Sequence, residues 1–122
     1  MGEMFYGASE FDQSIGNWDV SNVTKMNAMF SNSSFNQPIA NWNVRKVERM
    51  QWMFQSTPFN QPIGNWEVWN VRDMEGMFYN STNFNQNISN WSVDEVLTCG
   101  DFNLNGILQQ SYYPNFRRCN PN

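Results

Sequence analysis

The stretch Phe59 to Phe78, FNQPIGNWEVWNVRDMEGMF, holds every anchor of a unit that recurs along this chain of 122 residues. Its first phenylalanine returns as Phe11, Phe35, Phe59 and Phe84, and its tryptophan as Trp18, Trp42, Trp66 and Trp91. Between and after them come Ile15, Ile39, Ile63 and Ile88, then Val20, Val44, Val68 and Val93, then Val23, Val47, Val71 and Val96. The spacing is 24 or 25 residues throughout. A fixed period of that size marks stacked units that bury their core against their neighbours, so the expected fold is a repeat solenoid.

Within the unit, Trp18-x-Val20 alternates with period two and predicts a short parallel strand. Val23, Met26, Met29 and Phe30 fall at i, i+3, i+6 and i+7, the stripe of a short helical turn, with Ser21 or Asn22 placed to cap it. The loop before each anchoring phenylalanine varies in length and content, as a surface turn does. The unit therefore reads as strand, turn, short helix and loop. Residues 1–102 make about four such coils and residues 103–122 a C-terminal cap, in which Leu104, Ile107, Leu108, Tyr112, Tyr113 and Phe116 fold over the last coil.

The Phe and Trp rows are read as the core ladder, each aromatic burying roughly 150–250 Å². Asp12, Asn36, Asn60 and Asn85 are each followed by Gln. They are read as a ladder that satisfies backbone groups at a turn; a row of amides binding a sugar or an ordered lattice is the competing view. Trp52 and Trp69 depart from the repeat. Trp52 replaces Ala28 and Gly76, and Trp69 replaces Ser21 and Arg45. Packing against a neighbouring loop slightly outweighs ligand contact for both, yet neither is demanded by the core. With the loop residues Tyr6 and Tyr79 they are the candidate partner contacts.

Histidine is absent, which removes the commonest general base and metal ligand. Acids are scattered over predicted surface positions, and no phosphate loop, nucleophile elbow or CxxC occurs. The chain is thus expected to be no enzyme, with no catalytic residue, cofactor or metal. A net charge of −4 argues against nucleic acid. No apolar run is long enough for membrane insertion, and the N-terminus carries no signal peptide.

The F[ND]Q…NW.V..V..M..MF pattern resembles the bacterial surface-protein repeat of about 26 residues typified by mycoplasma surface lipoproteins, which is similar to the BspA-like branch of the leucine-rich repeats. The resemblance covers roughly Met1 to Phe102. It implies a right-handed leucine-rich-type solenoid and an extracellular or cell-surface role in adhesion or protein recognition, and it brings no catalytic residue. Val44-Arg45 and Val68-Trp69 stand where that family more often shows threonine or valine followed by serine, which puts a shared ligand in doubt.

Met1-x-x-Met4-Phe5 matches Met26-x-x-Met29-Phe30, so the chain starts inside a repeat and reads as a fragment of a longer protein. Cys99 fills a methionine position and Cys119 lies twenty residues on. A disulfide is favoured over two free thiols, would contribute about 3 kcal/mol, and would imply an oxidising compartment. Asn32 and Asn80 lie in N-x-[ST] triplets of the variable loop and form weak glycosylation signals. The expected function is a recognition or adhesion module with a protein or glycan partner. The alternative is a structural subunit that self-associates through its N-terminal coil into a fibre or larger particle.

Overall fold

The computed structural model describes residues 1–122, and its backbone is built almost wholly of turns. None of the 46 backbone–backbone hydrogen bonds lies within a helix or strand. Regular structure is confined to one 3-10 turn, Gln110–Tyr112, and to single parallel bridges that link Lys25 to Arg49, Arg49 to Asp73 and Asp73 to Thr98. This overturns the expected fold class. There is no strand at Trp18-x-Val20 and no helical turn from Val23 to Phe30, and so no strand-and-helix solenoid of leucine-rich type.

The hydrogen bonds give the physical reason. Met29 donates to Met26, Ser31 to Ala28 and Ser33 to Phe30, each closing a four-residue turn. The amides between them turn the other way. Met26, Ala28, Phe30 and Asn32 donate to Arg49, Gln51, Met53 and Gln55 of the next coil, at 2.8–3.1 Å. Successive amides thus alternate between a local turn and the neighbouring coil. An apolar residue at every third position suits such a run of turns as well as it suits a helix face.

Two columns of left-handed residues prevent the helix. Glu3, Ala28, Trp52, Gly76 and Asp101 have φ between 52° and 60°. Four residues further on, Gly7, Asn32, Ser56, Asn80 and Asn105 have φ between 53° and 71°. Each occupies the second central position of a turn, where type II geometry requires positive φ. A helix interrupted every four residues cannot propagate.

The core lies inside this stack. Phe30, Phe54 and Phe78 stack on one another at 5.7 and 5.5 Å, beside a second column of Phe35, Phe59 and Phe84 at 5.9 and 6.0 Å. Within a coil the two columns touch at 4.0–4.2 Å. Trp42, Trp66 and Trp91 are buried, and each indole N–H donates to the isoleucine carbonyl one coil back: Ile15, Ile39 and Ile63. The first members of the expected ladder differ. Phe11 is half-buried and Trp18 is 41% exposed, and the Trp18 indole makes no counterpart of the bond to an isoleucine carbonyl.

The acid–amide column also ties coils together. Asp12 Oδ1 accepts from the Asn36 amide, Asn36 Oδ1 from Asn60 and Asn60 Oδ1 from Asn85, at 2.8–3.0 Å. The Nε2 groups of Gln37, Gln61 and Gln86 donate to the same oxygens. At the C-terminal end the phenylalanine columns stop. Phe102 meets Phe78, Tyr113 and Phe116 edge-on at 5.0–5.8 Å, and Leu108 is buried in the core. Cys99 and Cys119 are joined in a disulfide with their Cα atoms 5.8 Å apart, which ties this segment to the last coil.

Candidate functional site

The left-handed columns set the site. At Trp52 the turn projects an indole sideways, between Ala28 on one neighbouring coil and Gly76 on the other. The six-membered ring lies directly over Gly76, whose missing Cβ makes the room: an added Cβ would stand 2.0 Å from Trp52 Cζ3. The same indole meets Tyr79 edge-to-face, with ring centroids 5.8 Å apart. On its other side Tyr6, Ala28, Trp52 and Gln55 line a shallow open recess. Gln55 is held there by Ser31, whose hydroxyl donates to Gln55 Oε1 at 2.8 Å, leaving the Gln55 amide group free to donate.

Three of the four candidate contacts therefore share one lateral face. Tyr6 is 57% exposed, and Trp52 and Tyr79 are half-buried. Trp69 does not join them. It is 48% exposed and stacks on no other ring, in the column of Ser21, Arg45 and Asp94. Close by, the Arg45 guanidinium pairs with Glu67 beside a second recess lined by Asn41, Asn43 and Asn65. The hydrogen bond from Arg45 holds the Glu67 carboxyl below the usual range and raises the guanidinium. The Ser21 hydroxyl and then its backbone N–H, both donating to Asp19 Oδ1, likewise keep the Asp19 carboxyl low. No group of three or more His, Cys, Asp or Glu side chains could hold a metal ion.

A family profile described as Mycoplasma protein of unknown function, DUF285, matches residues 1–104, across all the turn-built coils. The chain is a DUF285 protein. No curated protein and no solved structure matches it. Within this DUF285 chain the aromatic face is a local departure from the repeat: Trp52 stands where the sister coils have Glu3, Ala28, Gly76 and Asp101. No helix of the DUF285 chain is long and apolar enough to cross a membrane.

Sequence reasoning singled out Trp52 and the two tyrosines separately and missed what brings them together. The missing element was Gly76, together with the left-handed turn that aims Trp52 at it. The sequence signals the neighbouring left-handed column, Gly7, Asn32, Ser56, Asn80 and Asn105, since Gly and Asn tolerate positive φ, but at Trp52 itself it carries no such signal.

Proposed function

We propose that this chain is a non-enzymatic recognition module of a secreted or cell-surface protein, binding a protein or glycan partner through the Tyr6–Trp52–Tyr79 face. One observation carries the reading: three aromatics from three different coils converge on a single shallow, accessible face. Tyr and Trp offer large contact area for little conformational entropy and dominate binding hot spots. The Trp52 ring is immobilised against Gly76 and Tyr79 before any partner arrives, so little further ordering is needed. The disulfide between Cys99 and Cys119 supports an oxidising, extracellular compartment. The relation to BspA-like surface repeats rests on the sequence signature and supports the same location without naming a ligand.

The test is an array of secreted and cell-surface proteins printed beside glycans, probed with the intact chain, with Trp52→Ala and with Trp69→Ala. The expected result is a specific signal lost in Trp52→Ala and retained in Trp69→Ala. An array with no signal, or one that Trp52→Ala leaves intact, overturns the reading.

A further inference from the structure

One turn recurs in every coil, and its two ends build the lateral aromatic face. The Tyr6 amide donates to the Glu3 carbonyl, Gln55 to Trp52 and Tyr79 to Gly76, at 3.0–3.3 Å. The other copies of this turn are Ala28–Ser31 and Asp101–Leu104. Ala28 is nearly buried, with Tyr6 on one neighbouring coil and Trp52 and Gln55 on the other, and these four line the recess. Coils two steps apart stand roughly 10 Å from each other at the spacing of hydrogen-bonded backbones. The space between Tyr6 and Trp52 therefore suits a single flat or slender group.

Charge on this face has one sign. The segments that carry it, residues 1–10, 27–35, 51–59, 75–83 and 100–106, hold acids but no lysine or arginine. Glu3 opens the turn that Tyr6 closes, Glu75 adjoins the Gly76 seat of the indole, and Asp101 stands in the Trp52 column. The two ion pairs of the chain, Arg45–Glu67 and Arg117–Asp94, involve none of these three. The bases nearest in sequence, Lys25 and Arg49, lie on the preceding stretch, beyond the buried Met26 and Met50.

Aromatic rings attract a cation held within about 6 Å of the ring centroid, and unpaired carboxylates beside them add to the attraction. An anion would meet only repulsion there. A neutral sugar could stack on Trp52 but would leave the acids unused.

We infer that the Tyr6–Trp52 recess takes a cationic side chain, an arginine or lysine on a basic segment of a partner protein. The Gln55 amide, which the Ser31 bond to Oε1 leaves free, donates to a main-chain carbonyl of that segment. The inference rests on the reading of this face as a binding surface and narrows the partner to a protein with exposed positive charge.

The experiment titrates the labelled intact chain with a hexa-arginine peptide and, in parallel, with a hexa-citrulline peptide of nearly the same shape and no side-chain charge. The expected result is a set of shifts at Tyr6, Trp52 and Gln55 with arginine, and binding about tenfold weaker with citrulline. Trp52→Ala should abolish these shifts, its other amide signals showing that it is folded. Glu75→Gln and Glu3→Gln should each weaken arginine binding roughly two- to fivefold. Glu95→Gln, which removes the same charge from a distant exposed position, should leave it unchanged. Equal binding of the two peptides, arginine shifts away from the recess or absent, or an equal loss in Glu95→Gln and Glu75→Gln each overturns the inference. Any of these leaves the face itself standing where the array has found a partner lost in Trp52→Ala, so the two readings fail separately.

Discussion

The indole of Trp52 rests on the backbone of Gly76, with Cζ3 and Cε3 at 2.0 and 2.1 Å from where a Cβ on Gly76 would stand. No alanine fits there without moving the ring, and φ of 58° at Gly76 disfavours any Cβ. Gly76→Ala should therefore push Trp52 off its seat and cost about 1–2 kcal/mol from the left-handed backbone alone. A red-shifted Trp emission together with a lower urea midpoint checks it; an unchanged spectrum would show that the ring is not seated on Gly76.

Ala28 occupies the same column with φ of 52° and is nearly buried. Ala28→Gly relieves the strain of a left-handed Cβ but loosens the unfolded chain. The relief should exceed the entropy loss, leaving a gain of up to about 1 kcal/mol. Denaturant melts of the two proteins measure the difference, and a clear loss of stability would argue against the turn geometry.

Trp66 and Trp18 occupy one sequence column and should behave unlike each other. Trp66 is 4% exposed and bonds the Ile39 carbonyl at 3.1 Å; Trp18 is 41% exposed. Trp66→Ala should cost about 3–5 kcal/mol and Trp18→Ala less than about 1 kcal/mol. Equal losses would mean that the row is not a stack with a covered interior and an open first member.

Reducing the Cys99–Cys119 bond, or replacing Cys119 by Ser, releases the loop that carries Phe116 and Tyr113 over Phe102. The expected loss is about 3 kcal/mol by loop-closure reasoning. Thermal melts with and without reductant provide the check, and Phe116→Ala separates lost packing from the lost crosslink.

Acid should weaken the fold slightly through Asp19 and Glu67, both of which are held below the ordinary carboxylate range. A depressed carboxyl takes up its proton less readily folded than unfolded. Its stabilisation is complete at neutral pH, declines as pH falls through the carboxylate range, and is gone once both states are protonated. Both groups stand at the surface, so the effect is small and salt-sensitive. Urea midpoints followed downward from neutral pH, with and without Arg45→Ala, should show a shallower decline in the variant.

Much of the architecture was legible because Phe, Trp, Val and Met recur at one period, and each recurrence marks a position that faces its counterpart on the next coil. The amide ladder was legible for the same reason: Asn36 and Asn60 sit where a backbone N–H of the next coil needs an acceptor. The secondary structure was misread because spacing alone does not separate a helix face from serial turns. Val23, Met26 and Met29 are turn corners, and the deciding fact is the sign of φ at Ala28 and Asn32. Only the second of those columns is written in Gly and Asn. The first holds Glu3, Ala28 and Trp52, residue types that carry no turn signal, and only Gly76 and Asp101 in it favour a positive φ. Trp52 was visible as an exception, but its direction depends on that hidden turn, and so the grouping with Tyr6 and Tyr79 could not be read from the sequence.

The most direct test of the proposed binding face is an NMR titration of the labelled chain with the strongest ligand found on the array. The account predicts amide shifts that cluster at Tyr6, Ala28, Trp52, Gln55 and Tyr79 and vanish in Gly76→Ala. Shifts centred instead on Arg45, Glu67 and Trp69 would contradict it and move recognition to the other face.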